Sequence, residues 1–168
     1  MIEKSAFEEC KSLTNISIPP NVTEIGDYCF FNCRSLVEID IQSPIIKIGK
    51  STFRNCVSLK QMSVPESITE IESHLFCGCS NLESVSLSNN VTKIGCFAFN
   101  GCSSLKEIKI PCEVIIIEPY TFADCSSLKN VELPLKVTRI GDYSFKGCTS
   151  LIEIITPQTL KTIGESAF

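Results

Sequence analysis

Apolar residues recur along this chain on a strict period. Phe7, Phe30, Phe53, Phe76, Phe99, Phe122, Phe145 and Phe168 each stand 23 residues apart. Cysteine follows the first seven by three residues, from Cys10 to Cys148, and leucine follows by six, from Leu13 to Leu151. Two more columns are apolar throughout, one from Ile16 through Met62 to Ile154, the other from Ile25 to Ile163. No insertion interrupts them. A fixed period of this length means a stack of like units rather than one irregular globule.

Within a unit the spacing changes. Around Leu105, Ile108 and Ile110 the last two apolar positions alternate with Glu107 and Lys109, as in a half-buried strand. Pro111 ends the strand, and Pro19, Pro65, Pro134 and Pro157 do so elsewhere, because proline cannot donate to a continuing ladder. Val91 and Ile94 form a second short extended piece before the turn signal Gly95. Phe99, Cys102 and Leu105 then recur every three residues, which predicts one or two helical or 3₁₀ turns.

One such unit cannot bury its own apolar stripe, and stacked neighbours bury it as a continuous core. Successive strands should pair in parallel about 4.8 Å apart, giving a curved sheet roughly 30–35 Å long. The 168 residues divide into seven units of 23 with seven residues over.

The unit Cys102-x-x-Leu105-x-x-Ile108-x-Ile110-Pro111-x-x-Val114-x-x-Ile117, joined to Ile94-Gly95-x-x-Ala98-Phe99-x-x-Cys102, resembles the BspA-like leucine-rich repeat. That class is common in surface proteins of oral bacteria and anaerobic protozoan parasites. Pattern and resemblance together predict an α/β fold. It is a right-handed leucine-rich-repeat solenoid of about seven repeats, with a parallel concave sheet and short helical turns on the other side, in a single array over residues 1–168. The asparagine site of the better-known leucine-rich pattern is held here by Asn21, Pro44, Ser67, Asn90, Glu113, Lys136 and Thr159, so no asparagine ladder is expected there. Gln42 and Ser88 stand in for proline, Glu72 and Glu118 for glycine, and Thr156 for a strand aliphatic, which predicts a looser sheet near the C-terminal end. The resemblance implies adhesion or other protein–protein contact, not catalysis, and it supplies no catalytic residues, cofactor or metal ligands. The partner it implies is a protein, of a host or the extracellular matrix, or a glycan. It also implies a cell-surface location, with the cytoplasm as the alternative.

Composition narrows the chemistry. Fifteen Lys and Arg against nineteen Asp and Glu leave a net charge of −4 and a pI near 5.1, which gives nucleic-acid binding no electrostatic basis. Met1-Ile2-Glu3-Lys4 leads straight into patterned sequence without the apolar core of a signal peptide, and no apolar run approaches a membrane span. The chain as given therefore reads as soluble, with no direct membrane insertion.

Eleven cysteines and one histidine are the residues to weigh for chemistry. The seven ladder cysteines read as buried free thiols, each a small apolar filler one turn after a core phenylalanine. Disulfides between stacked neighbours suit their side-by-side Cβ vectors poorly, and Cys77-Gly78-Cys79 is too lone a pair for zinc. Cys29, Cys77, Cys96 and Cys112 lie off the ladder, and an odd total leaves one thiol unpaired. Abundant free cysteine favours a reducing compartment or anaerobic habitat. His74 and Cys77 share a turn, but a cysteine nucleophile also needs an orienting group, and that turn offers none.

Two surfaces remain as candidate binding sites. One is the column two before the core phenylalanine, with Tyr28, Ser51, His74, Phe97, Tyr120 and Tyr143; a line of aromatics suits protein or glycan contacts, or else each ring packs over the next repeat. The other is the outward face of the strands, where Glu38, Asp40, Glu107, Lys109, Glu132 and Glu153 make a polar, mildly acidic surface without aromatic anchors. Ile46, Ile115 and Ile116 lie outside the core columns, and the last two make a small apolar spot beside Cys112. Asn15, Asn21 and Asn90 each begin a glycosylation sequon, a slight pointer to secretion. Neither end carries a distinct polar cap, so homo-oligomerisation through open ends of an intracellular scaffold is the alternative to adhesion.

Overall fold

The structure, a computed structural model, describes residues 1–168. Its strands alternate in length along the chain: Asn15–Ile18 (β1), Glu24–Ile25 (β2), Glu38–Ile41 (β3), Lys47–Ile48 (β4), Gln61–Ser63 (β5), Glu70–Ile71 (β6) and Ser84–Ser86 (β7). They continue with Lys93–Ile94 (β8), Ile116–Ile117 (β9), Asn130–Glu132 (β10), Arg139–Ile140 (β11), Glu153–Ile155 (β12) and Thr162–Ile163 (β13). The longer strands build one side and the two-residue strands another. Between Ile16 and Ile154 the backbone winds six turns of a parallel solenoid.

Every pairing is parallel and in register at the repeat length, as with Asn15 opposite Glu38 and Arg139 opposite Thr162. That register follows from the apolar columns: a slip of one residue would turn each core side chain outward. The longer strands pair two by two, β1 with β3, β5 with β7 and β10 with β12, so this side is three ribbons rather than one unbroken sheet. The fifth repeat contributes only a bridge between Glu107 and Asn130. Thr156 lies just beyond β12, which still pairs with β10.

The core is a file of stacked residues along the axis. Phe30 to Phe145 are fully buried, and rings from Phe7 to Phe168 stack at centroid spacings of 5.2 to 5.7 Å. Six ladder cysteines lie beside them, and each Sγ donates to the carbonyl of a phenylalanine 26 residues earlier. Cys33 reaches the Phe7 carbonyl at 3.0 Å and Cys102 reaches that of Phe76 at 3.2 Å. A small apolar side chain with one weak donor thus meets the second lone pair of a carbonyl that already accepts a backbone amide, as Phe7 does from Cys10 at 3.1 Å.

The expected helical turns are absent, and the α/β class is corrected to an all-strand-and-turn solenoid. The reason lies in where the amide groups go. In the second repeat the N–H groups of Tyr28, Phe30 and Asn32 donate to the carbonyls of Lys50, Thr52 and Arg54 in the next repeat, at 2.9 to 3.0 Å. The intervening Cys29, Phe31 and Cys33 donate to Gly26, Tyr28 and Phe30, three residues earlier. A helix needs every amide for its own ladder; here every second one is spent between repeats. The same linkage joins Ser51 to Ser73, His74 to Cys96, Phe97 to Pro119, Tyr120 to Asp142 and Tyr143 to Glu165. Each turn is bracketed by left-handed residues, such as Tyr28 at φ 56° and Asn32 at φ 59°, which no right-handed helix contains. The second bracket is filled by Asn32, Asn55, Gly78, Gly101, Asp124 and Gly147, residue types that tolerate this conformation.

Candidate functional site

The outward residues of the longer strands line a hollow of about 1400 Å³. Glu38, Glu107, Lys109 and Glu132 all lie in it, so strand alternation brings four predicted residues to one surface. Asp40 is exposed on the same strand as Glu38, where its carboxylate accepts from Ser17 Oγ at 3.2 Å and Gln42 Nε2 at 2.7 Å. Glu153 instead edges a separate apolar hollow at the last repeat, with Leu151, Ile154 and Phe168.

Lys106 and Lys129 also line the trough, in the column preceding the predicted one. Lys106 pairs with Glu83 of the repeat before at 2.9 Å, and this pairing holds the Glu83 carboxyl below the usual carboxylate range. Both residues stand in water, so the pair orders the trough surface more than it stabilises the fold. The Lys60, Glu83, Lys106, Lys129 column was visible at the 23-residue spacing. Leu135, 81 % exposed, forms part of the trough wall with Cys112 and adds to the apolar lining given by Leu87, Ile108 and Leu133. Ile46, Ile115 and Ile116 are exposed as well.

Tyr28, Phe97, Tyr120 and Tyr143 lie in the turns, not in the trough, so the ten predicted residues fall on separate surfaces. Their column is half-buried. His74 stacks on Phe97 at 4.8 Å, Phe97 on Tyr120 at 4.5 Å and Tyr120 on Tyr143 at 4.9 Å, all within 16° of parallel. The ring faces of the inner members are thereby covered by one another, and what they present outward is edges and hydroxyls. Tyr143 donates its hydroxyl to Glu165 at 2.8 Å, which pushes the phenol pKa up, and Lys146 Nζ sits 5.2 Å from the same ring.

The core cysteines are held in their neutral form by burial. Burial pushes the Cys29 thiol up to about 12 and those of Cys33 and Cys148 up to about 11. A thiol so displaced is a poor nucleophile near neutrality. Cys77 directs Sγ to Asn100 Oδ1 at 3.6 Å, whereas His74 of the same turn is engaged with Phe97.

The BspA type leucine-rich repeat region matches this sequence in six copies, over residues 1–129 and 69–168. The chain belongs to the BspA-type leucine-rich repeat family. Among solved structures, this BspA-type chain is similar to the leucine-rich repeat protein of T. pallidum, with a TM-score of 0.84 and 29 % identity over 89 % of this chain and 72 % of that one. It also shares its fold with the pneumococcal vaccine antigen PcpA, at a TM-score of 0.56 and 19 % identity, over 99 % of this chain and 58 % of PcpA. No curated protein matches it. A leucine-rich repeat array of this type points to a protein-interaction module.

Proposed function

We propose that this chain is a non-enzymatic adhesion module of a surface protein, which holds a protein or glycan of a host or its matrix in the trough. The observation that carries this reading is the trough itself: a continuous surface of exposed side chains, from Glu38 across Lys106, Glu107 and Lys109 to Glu132, on a fixed backbone spacing. The turn-side aromatics are the weaker candidate because their faces are already stacked. Without a buried aromatic or arginine anchor each contact in the trough is modest, so useful affinity comes from many contacts or many copies. The charges would steer and orient the partner more than hold it.

The test is binding of the whole chain to a panel of extracellular-matrix proteins and glycans. Binding is expected to fall at least several-fold in the double variant Lys109→Glu/Glu132→Lys and to survive in Tyr120→Ala. A binding partner indifferent to the trough variant but lost with Tyr120→Ala would move the site to the turns.

A further inference from the structure

Arg54 stands apart from every other charged residue of the chain. Its Nε is shut off from solvent and has no hydrogen-bond acceptor, the only charged side chain with an atom so placed. None of the ion pairs involves it, and its two Nη atoms, also without protein acceptors, are not shut off. Arg54 is half-buried, and its guanidinium keeps the two Nη atoms in touch with solvent and has no carboxylate at ion-pair distance.

Its surroundings are flat and apolar. The Phe31 ring lies 5.8 Å from the guanidinium carbon, and Tyr28 meets Phe31 edge-on at 6.0 Å. On the opposite side stand His74 and Cys77 of the next repeat, both within reach of its charge. Three residues before Arg54, Ser51 makes the one break in the aromatic column, replacing a ring between Tyr28 and His74. Ser51 is itself only 3 % exposed, so the break is roofed over rather than open. A planar cation suits such a place between rings. Packing alone, however, leaves the charge uncompensated, and a carboxylate at the two Nη atoms supplies the counter-charge that the protein does not.

We propose that Arg54 is the anchor of a second site, on the turn side of the solenoid and away from the trough, for a carboxylate carried next to a flat apolar group. The two Nη groups form the fork that takes both carboxylate oxygens, a geometry lysine lacks. Phe31 and Tyr28 supply the surface against which the rest of the ligand packs.

The single histidine of the chain reports on this site. Burial, and after it the charge of Arg54, holds His74 below its usual pKa, so an anion on Arg54 must raise it. We expect a proton NMR titration of the full chain to show the His74 pKa rising saturably with benzoate at constant ionic strength. Acetate should need several-fold more, and chloride should give no saturating response. Arg54→Met is expected to raise the His74 pKa on its own and to abolish the benzoate effect. Arg54→Lys keeps the charge, and with it the low His74 pKa, but should lose the saturable response. A wild-type chain with no saturable shift, or a lysine variant that responds like the wild type, overturns the proposal.

Discussion

Phe97 shows what a single position in this fold must reconcile. Its backbone is left-handed, at φ 59°, which costs an ordinary L-residue about 1–2 kcal/mol. Its ring is stacked on both faces, by His74 and by Tyr120, and such pairs return about 0.5–1.5 kcal/mol each beyond the area they bury. Truncation should therefore behave unusually. Phe97→Ala loses both stacks and keeps the strained backbone, whereas Phe97→Gly loses the stacks and the strain together. Urea unfolding is expected to find the glycine variant more stable than the alanine variant by about 1 kcal/mol; the ordinary order, alanine above glycine, would show that position 97 carries no backbone strain for the rings to compensate. Arg54 illustrates the opposite limit of sequence reading. Its place in the repeat is plain from the spacing, but its lack of any acceptor depends on neighbours in the repeats on either side, and no spacing reveals that.

The turn is the element that sequence reading described least well. Phe99, Cys102 and Leu105 recur every three residues in a 3₁₀ helix and equally in the observed turn, so the apolar pattern cannot separate the two. The distinguishing sign was elsewhere, in the column from Asn32 to Gly147, where glycine, asparagine and aspartate mark a left-handed residue closing each turn. The strands were legible because alternation and proline stops leave one reading. The trough residues followed from the strands, and the aromatic column from the period. The period left two readings of that column, exposed contacts or rings packed over the next repeat, and the stacking distances match the second. The turns should also resist exchange in a way turns rarely do. The amides of Phe76 and Gly78, bonded across to Ala98 and Asn100 at 2.8 and 2.7 Å, are expected to exchange with deuterium as slowly as strand amides, and much more slowly than those of Asn21 and Asn89. Rapid exchange at Phe76 and Gly78 would count against a structural role for the turn linkage.

For the whole molecule, the buried thiols make stability depend on pH. Folded Cys29 titrates near 12 and Cys33 and Cys148 near 11, against an ordinary value of 9.0, and burial pushes Cys79, Cys102 and Cys125 well up too. A raised folded pKa on an acid means the unfolded chain gives up its protons first. The contribution is therefore complete below pH 9.0 and is lost as pH rises toward 11 and 12. Circular dichroism should show cooperative unfolding within that window, and a signal unchanged to pH 12 would contradict it. The linkage through the turns has a mechanical side as well. Hydrogen bonds tie every turn to the next along one flank, while the opposite flank is divided into three separate ribbons. Such a body behaves like a jointed strip on an inextensible backing: it resists stretching along its axis but can open or tighten its hollow at the seams between ribbons. On the proposed reading, a partner larger or smaller than the resting hollow would be accommodated by bending at those seams, with the backing, rather than the sheet, keeping the repeats in register.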